Sequence, residues 1–281
     1  MPTAAVTADV LLHATALDSL DARVLLMYVL GWSRAQLITR GDQALEAAFV
    51  ERFRQAEARR LAGEPVAQIV GTREFFGLPF KVTPEVLIPR PETELLVELA
   101  LEMIDGYPAP TVLDLGTGSG AIAISIARER PDARVVALDR SPCALMVAQS
   151  NAQTLLDARR PGGAPRFLRS DWYAALEAEQ QFDIIVSNPP YIARHDPHLS
   201  QGDLRFEPRG ALTDEADGLQ AIRAIVAGAR KRLVPGGSLW IEHGYDQAAQ
   251  VRDLLFEAGF IAAVSHRDLA DIERVTGGQI D

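Results

Sequence analysis

The 281-residue chain has a single cysteine, few aromatic residues (6%) and no long apolar run. Cys143 cannot form a disulfide within the chain, which favours a reducing compartment such as the cytoplasm. No uninterrupted apolar stretch approaches the roughly 18 residues that cross a bilayer, so we expect no transmembrane helix. The formal net charge of −10 argues against a protein that holds nucleic acid mainly by neutralising phosphates. We therefore expect a cytoplasmic protein without direct contact to a membrane or to nucleic acid.

Two stretches of different character precede a longer and more regular region. In the first, apolar residues recur at helical spacing, which predicts a small helical domain that serves either for packing or for docking a partner. Glycines and prolines then interrupt every helix between residues 63 and 91. The β-type runs between them, at 67–70 and 75–82, predict a β-hairpin linker. A helix is expected to follow, opened by Pro91.

Strand and helix patterns alternate from residue 111 onward. The predicted strands span 111–115, 134–138, 166–169, 182–187, 238–242, 261–266 and 274–280. The predicted helices span 119–130, 142–156, 219–233 and 247–258. Such alternation implies an α/β fold, in which helices cover both faces of a parallel sheet.

A glycine-rich loop follows the first of these strands and precedes a helix. It reads Asp114-Leu115-Gly116-Thr117-Gly118-Ser119-Gly120. Alternate glycines let the backbone turn sharply and pass close to a ligand. Asp139 ends the next strand, 21 residues after Gly118, where a carboxylate can accept hydrogen bonds from a ribose. The loop predicts a nucleoside-bearing cofactor and leaves both NAD and S-adenosylmethionine open; a strand–helix turn without a ligand is the alternative.

Two further residues favour S-adenosylmethionine over NAD. Asp114 stands two residues before the first glycine, where a carboxylate pointing into the cleft would repel a pyrophosphate and attract the amino group of a methionine moiety. Trp172 follows the third strand of the alternating region, where its indole can stack on an adenine ring.

The strand 182–187 ends in the tetrapeptide Asn188-Pro189-Pro190-Tyr191. Each proline pushes the preceding residue into an extended conformation and offers no backbone N–H. The carbonyl groups and the side-chain oxygen of Asn188 remain as acceptors beside an aromatic ring. This stiff row of acceptors suits a flat group that offers an NH2, although a proline-rich turn explains the same residues.

The two loops meet if the strand order is 3-2-1-4-5, since strands 1 and 4 then flank the switch point where such sheets bind ligands. With this arrangement the sequence resembles the Rossmann-like S-adenosylmethionine-dependent methyltransferases that act on nitrogen and carry an Asn/Asp-Pro-Pro-aromatic tetrapeptide. The linker segments 75–80 and 86–94, together with Arg205-Phe206-Glu207-Pro208, are similar to the glutamine N5-methyltransferases. Over residues 9 to 278 the chain resembles the PrmC/HemK family, which methylates peptide chain release factors.

The resemblance implies a class I methyltransferase fold with a seven-stranded sheet and three regions: a helical substrate-docking domain (1–73), a β-hairpin linker (74–92) and a methyltransferase domain (93–281). The implied reaction moves a methyl group from S-adenosyl-L-methionine to N5 of the glutamine in the Gly-Gly-Gln motif of release factors, and leaves S-adenosyl-L-homocysteine. We expect a monomer and no metal. A glutamine methyltransferase of a ribosomal protein and a nucleic-acid N-methyltransferase remain alternatives.

The site residues follow from the same resemblance and from the chemistry of the two loops. The catalytic and substrate-binding residues are predicted to be Asn188, Pro189, Pro190 and Tyr191. The cofactor-binding residues are predicted to be Gly116, Thr117, Gly118, Ser119, Gly120, Asp139, Trp172 and Asn188.

Several other groups are weaker candidates. His195, His198 and His243 lack metal-ligand spacing and are interpreted as loop or core histidines. The chain also carries its own Gly-Gly-Gln at 277–279, and automethylation there is a hypothesis set against a simple terminal turn.

Overall fold

The computed structural model describes residues 5–281, so residues 1–4 of the predicted N-terminal domain lie outside the described part of the chain. The chain divides into two compact units, Met1–Thr72 and Arg73–Asp281. Among residues 5–281, no helix combines the length and the hydrophobicity needed to cross a membrane.

The first unit is helical, as predicted. Its helices are α1 (Ala8–Ala14), α2 (Ser19–Leu30), α3 (Arg34–Thr39), α4 (Ala47–Leu61) and α5 (Val66–Val70). Ser33 and Gln36 form a capping box that starts α3, and Gly31 ends α2 in the left-handed conformation. Leu25, Leu26 and Phe53 are fully or almost fully buried in its core.

The prediction of a β-type run at 67–70 is wrong, because these residues form helix α5. Pro65 precedes the helix, and its carbonyl accepts a hydrogen bond of 3.1 Å from the backbone N–H of Ile69. Gly71 ends the helix at φ +81°. A four-residue apolar run fits a single helical turn as well as a strand, so its pattern alone does not distinguish the two.

The predicted β-hairpin is confirmed and consists of β1 (Thr72–Phe75) and β2 (Leu78–Lys81). Phe76 and Gly77 make its turn, both at positive φ (50° and 71°). Phe75 and Phe80 are buried, and their rings meet edge to face with centroids 6.0 Å apart. Both rings belong to the same core cluster as Leu96 of the following helix, so the hairpin packs as part of the second unit.

The second unit is built on a seven-stranded sheet. Its strands are β3 (Thr111–Leu115), β4 (Arg134–Asp139), β5 (Arg166–Arg169), β6 (Phe182–Ser187), β7 (Leu233–Glu242), β8 (Ile261–Arg267) and β9 (Glu273–Gln279). Its helices are α6 (Glu94–Met103), α7 (Ala121–Glu129), α8 (Pro142–Leu155), α9 (Arg209–Leu212), α10 (Gln220–Ala229) and α11 (Ala248–Glu257).

The strand order is β5-β4-β3-β6-β7-β9-β8. The first five strands of this order pair in parallel and give the expected order 3-2-1-4-5. The predicted parallel sheet is confirmed except for β9, which runs antiparallel to both of its neighbours, β7 and β8. The five residues 268–272 between β8 and β9 are too few for a parallel crossover, so the chain turns back directly.

The sheet brings two loops together at its carboxyl edge. Leu115, the last residue of β3, is in register with Ser187 of β6 on one side and with Leu138 of β4 on the other. The strands are buried on both faces, which explains their near-continuous apolar sequences. The glycine loop after β3 and the tetrapeptide after β6 are therefore neighbours, as the switch-point prediction requires.

Candidate active site

The glycine loop is held against the end of β4. The backbone N–H groups of Gly116 and Thr117 both donate to the carbonyl of Leu138, at 2.8 and 2.9 Å. Gly116, Gly118 and Gly120 all have positive φ (75°, 55° and 84°), a conformation that favours glycine. The sequence therefore places glycine where the backbone needs it.

Asp139 fixes the loop on its other side. Its Oδ2 accepts from the N–H of Gly118 at 2.9 Å, and its Oδ1 accepts from the N–H of Ser141 at 2.8 Å. Each carboxylate oxygen can accept a further hydrogen bond. Asp139 is only partly buried and faces a cavity, so that remaining capacity is available to a ligand.

Asp114 does not point into the cleft, so that prediction is wrong. It is fully buried beneath the loop, and its Oδ2 accepts a hydrogen bond of 2.6 Å from the hydroxyl of Thr117. Its Oδ1 has no hydrogen-bond partner among the described residues. Burial raises the pKa of this carboxyl group from 3.8 to about 7, because the charged form loses its hydration.

A cavity of about 250 Å³ opens between the glycine loop and the tetrapeptide. It is lined by Glu85, Val86, Leu87, Gly116, Gly118, Leu138, Asp139, Arg140, Ser141, Ala144, Ser170, Asp171, Trp172, Asn188, Pro190, Pro208, Gly210 and Ala211. A Cβ atom at Gly116 would lie 4.0 Å from both the Asn188 carbonyl oxygen and the Trp172 ring. The missing side chain thus leaves room between these three residues.

Five of the predicted site residues do not line this cavity. They are Thr117, Ser119, Gly120, Pro189 and Tyr191. The Ser119 carbonyl accepts from the side-chain amide of Asn151 at 2.9 Å. A Cβ at Gly120 would lie 2.7 Å from Ile124 Cδ1, so this glycine permits close packing of the loop against its helix.

Trp172 lines the cavity from a loop with strained backbone geometry. Its φ of +45° is unusual for a bulky residue. Ser170 holds this loop, since its hydroxyl donates to the Trp172 carbonyl at 2.6 Å and accepts from the N–H of Ala175 at 3.0 Å. The indole is consequently presented at the cavity edge.

Asn188 is oriented by a residue that sequence reasoning missed. Its Nδ2 donates a hydrogen bond of 3.1 Å to Oγ1 of Thr93, a buried residue just before α6. Ser187, the preceding residue, donates from its hydroxyl to the Leu115 carbonyl at 2.7 Å. With Nδ2 turned towards Thr93, the Oδ1 of Asn188 is left free to accept a hydrogen bond.

Tyr191 is tied to the end of β7. Its hydroxyl lies 3.3 Å from Oε1 of Glu242, and its carbonyl accepts from the side-chain amide of Gln247 at 3.1 Å. Burial and the neighbouring carboxyl group raise the pKa of Tyr191 well above its ordinary value. Tyr191 therefore stays a neutral hydrogen-bond donor.

Glu242 is a second residue that sequence reasoning missed. It is almost fully buried, and its Oε2 has no hydrogen-bond partner among the described residues. Burial raises its pKa from 4.5 to about 7, while hydrogen bonds from Thr93 and Tyr191 oppose this rise. The sequence does carry a signal for this residue, because Glu242 is a carboxylate at the end of the otherwise apolar strand β7, which lies beside β6.

Glu207 of the Arg205-Phe206-Glu207-Pro208 segment lies next to Pro208, a residue that lines the cavity. Its buried carboxylate accepts a hydrogen bond of 2.9 Å from the N–H of Ile88 and forms an ion pair with Arg90. Residues 85–87, directly before Ile88, line the cavity, as does Pro208. Glu207 thus ties two separate cavity-lining segments together.

The weaker candidates lie elsewhere. His198 is exposed and pairs with Asp196, whereas His243 is buried and its Nε2 lies 2.7 Å from the Thr276 hydroxyl. Among the described residues no group of three His, Cys, Asp or Glu could hold a metal ion. Gln279 pairs with Ser238 at the opposite end of the sheet from Asn188, so the chain's own glutamine does not reach this site within one molecule.

Comparison with known proteins gives first a class and then a family. Residues 6–71 match the PrmC N-terminal domain, and residues 92–203 match the methyltransferase small domain. With the seven-stranded sheet and the cavity at its switch point, these matches define a class I methyltransferase.

Relatives of nearly the same length specify the family. The release factor glutamine methyltransferase of Burkholderia pseudomallei (strain K96243) is 67% identical over 98% of this chain and 96% of its own. That of Escherichia coli (strain K12) is 46% identical over 92% of this chain and 91% of its own. The chain belongs to the release factor glutamine methyltransferase family.

A solved structure supports the fold. The T. thermophilus 16S rRNA N2 G1207 methyltransferase in complex with AdoMet and guanosine is 26% identical and aligns with a TM-score of 0.54. The alignment covers 75% of this chain and 50% of that chain.

Proposed function

We propose that this enzyme transfers a methyl group from S-adenosyl-L-methionine to the side-chain nitrogen N5 of the glutamine in the Gly-Gly-Gln motif of peptide chain release factors. The observation that carries the proposal is the orientation of Asn188. Its Nδ2 is engaged by Thr93, so its Oδ1 is free beside the cavity, in a chain whose relatives bear this activity in their names.

The residues of the cavity fit S-adenosyl-L-methionine. Gly116 and Gly118 leave space for the methionine part, and Asp139 keeps acceptor capacity for the two ribose hydroxyls. Trp172 offers an aromatic face to the adenine. When bound, S-adenosyl-L-methionine supplies an electrophilic methyl group on a positively charged sulfur.

The tetrapeptide prepares the nucleophile. An amide nitrogen is weakly nucleophilic because its lone pair is delocalised into the carbonyl group. We assign the Oδ1 of Asn188 and the carbonyl of Pro189 as acceptors of the two amide hydrogens, which orients the nitrogen and stabilises the positive charge that develops on it. Pro190 keeps this segment extended, and Tyr191 packs against the glutamine side chain.

The proposed reaction is a direct displacement at the methyl carbon. A bond forms between the glutamine nitrogen and the methyl carbon while the bond from that carbon to sulfur breaks. The electron pair of the broken bond stays on sulfur and gives S-adenosyl-L-homocysteine. The amide nitrogen then loses one proton to water, since the ordinary acidity of an amide does not allow its removal beforehand.

The helical first unit is the proposed docking domain for the release factor. It matches the PrmC N-terminal domain over residues 6–71, a module separate from the catalytic sheet. We propose that the enzyme acts as a monomer in the cytoplasm, where release factors work.

The test uses methyl-labelled S-adenosyl-L-methionine, the enzyme, and either a release factor or its Gln→Ala variant in the Gly-Gly-Gln motif. We expect label on the first protein alone. Label on a ribosomal protein in preference to the release factor would contradict the proposal. So would label on RNA, which is the relevant alternative because the sheet is also that of an rRNA methyltransferase.

A further inference from the structure

Two buried side chains, Thr93 and Glu242, form a path beneath the tetrapeptide that the proposed chemistry does not use directly. The amide of Asn188 donates to the hydroxyl of Thr93, and the Glu242 carboxyl group accepts a hydrogen bond from Tyr191. The Thr93 hydroxyl also interacts with this carboxyl group and lowers its pKa. Thr93 and Glu242 are buried. Residues at the start of α6, after β6 and at the end of β7 thus meet behind the group that faces the substrate.

The arrangement bears on the orientation of the Asn188 side-chain amide, which the shape of that amide does not determine. Its side-chain oxygen and NH2 group have nearly the same shape, so the amide can rotate by half a turn in the same space. Only one orientation presents an acceptor to a glutamine NH2. The other presents a donor, which cannot orient the nucleophile.

The hydroxyl of Thr93 decides between these orientations. A hydroxyl has one hydrogen to donate and lone pairs to accept with. If its hydrogen is committed to Glu242, its oxygen can only accept, and Asn188 must turn its NH2 group towards it. A partner that donated to Thr93 would free the hydroxyl hydrogen for the Asn188 oxygen and permit the unproductive orientation.

We propose that Glu242, acting through Thr93, is a positioning residue that fixes the amide orientation of Asn188 for methyl transfer. The inference rests on the proposed function. It also explains why a carboxyl group lies buried at this point, since a carboxylate accepts and never donates. Tyr191 donates to the same carboxylate, which couples the aromatic end of the tetrapeptide to its amide end.

The charged groups around Glu242 shape its response to pH. Glu92 raises its pKa and Arg274 lowers it, so the two act in opposite directions. Arg274 is itself paired with Asp268, at 3.0 Å. Desolvation is the largest influence and brings the pKa of Glu242 to about 7. The productive orientation is therefore secured increasingly as the pH rises through about 7.

The first test replaces Glu242 with glutamine, which keeps its shape but can donate. We expect kcat for release factor methylation to fall by about 10- to 100-fold, while the KM for S-adenosyl-L-methionine changes little. The wild-type kcat should rise with pH around 7, and this rise should be absent in Glu242→Gln. A structural role alone would lower activity at all pH values without removing the rise.

The second test acts at Thr93. Thr93→Val keeps the shape and loses the hydroxyl, so we expect it to lose kcat as Glu242→Gln does. Thr93→Ser keeps the hydroxyl and should regain most of that loss. Ser125→Ala is a matched control, since it removes a buried hydroxyl without a hydrogen-bond partner from α7, away from the tetrapeptide. It should retain the wild-type kcat and pH profile.

The outcomes separate this inference from the proposed function. If the wild-type enzyme does not label the release factor, the proposed function fails. If the wild type labels it but Glu242→Gln keeps the wild-type kcat and pH profile, the positioning role is wrong. A Thr93→Val variant as active as Thr93→Ser would also overturn it. Thermal unfolding of each variant shows which of them are folded, and the kcat comparison is made among those.

Discussion

The side-chain amide of Asn188 donates a hydrogen bond of 3.1 Å to the hydroxyl of Thr93, a residue 95 positions earlier in the chain. This bond joins the segment before α6 to the end of β6. It leaves the Oδ1 of Asn188, a residue that lines the cavity, available as an acceptor. The orientation of the substrate amide therefore depends on residues from distant parts of the sequence.

A side chain at position 116 of the glycine loop should weaken binding of the cofactor. In Gly116→Ala the new Cβ would stand between the Asn188 carbonyl and the Trp172 ring. We expect the Kd for S-adenosyl-L-methionine to rise by about tenfold or more, measured by isothermal titration calorimetry.

Gly77→Ala is the matched control for Gly116→Ala. Gly77 has nearly the same φ (71° against 75°), but a Cβ there meets open space in the hairpin turn. Both variants should lose about 1–2 kcal/mol of stability from backbone strain. Equal cofactor affinities in the two variants would show that Gly116 does not border the cofactor.

Two variants of Tyr191 should separate the contributions of its ring and of its hydroxyl group to activity. Tyr191→Phe keeps the ring and loses the donor to Glu242, so kcat should fall by about tenfold or less. Tyr191→Ala removes the packing surface as well and should also raise the KM for the release factor. Steady-state kinetics at varied release factor concentration distinguishes the two. An unchanged KM in Tyr191→Ala would place the glutamine side chain elsewhere.

Glu207 should matter for the cofactor although it does not itself line the cavity. Glu207→Gln weakens the link to Arg90 and to the N–H of Ile88, and so loosens the segment 85–87 at the cavity. We expect a loss of about 1–3 kcal/mol in unfolding free energy and weaker binding of S-adenosyl-L-methionine. Arg209→Gln is the control, because this exposed arginine pairs with the equally exposed Glu215. If Glu207→Gln left cofactor binding unaffected, the proposed role of Glu207 in supporting the cofactor site would be wrong.

Asp114 should make the protein less stable as the pH rises. Its pKa is about 7 in the folded chain against a reference value of 3.8, so the folded chain binds this proton more tightly than the unfolded chain does. The stabilisation is fully present below about pH 4 and is lost as the pH rises through about 7. In Asp114→Asn the decrease in unfolding free energy between about pH 5 and about pH 8 should be smaller, by about 2 kcal/mol.

Urea denaturation at both pH values measures this effect. Glu98→Gln is the control, since Glu98 is exposed on α6 and its loss should leave the wild-type pH dependence in place. A pH dependence in Asp114→Asn that equals the wild-type dependence would contradict the assignment of Asp114.

The sequence carried enough information to predict the sheet and both loops. Strands buried on both faces read as apolar runs, and glycines and prolines mark the loops between them, so the order around β3 and β6 followed. Short elements were less predictable. The helix at 66–70 and the reversed strand β9 depend on tertiary packing and loop length, which no local pattern contains.

The supporting residues of the site were also beyond a local pattern. Thr93, Glu207 and Glu242 each contact a residue at least 51 positions away. The segments of Thr93 and Glu207 carried the family resemblance, but their local pattern did not show these contacts. Asp114 was expected to face the cleft, but the Thr117 hydroxyl holds it beneath the loop. Sequence motifs identify the groups that face a ligand better than the groups that hold them in place.

The most direct measurement is site-resolved mass spectrometry of a release factor after incubation with S-adenosyl-L-methionine and either the wild-type enzyme or Asn188→Ala. The account predicts one added methyl group on the glutamine of the Gly-Gly-Gln motif with the wild type. It predicts a rate lower by about 10²- to 10³-fold with Asn188→Ala, in a variant that still binds the cofactor. A near-normal rate in that variant, or a methyl group on any other residue, would contradict the account.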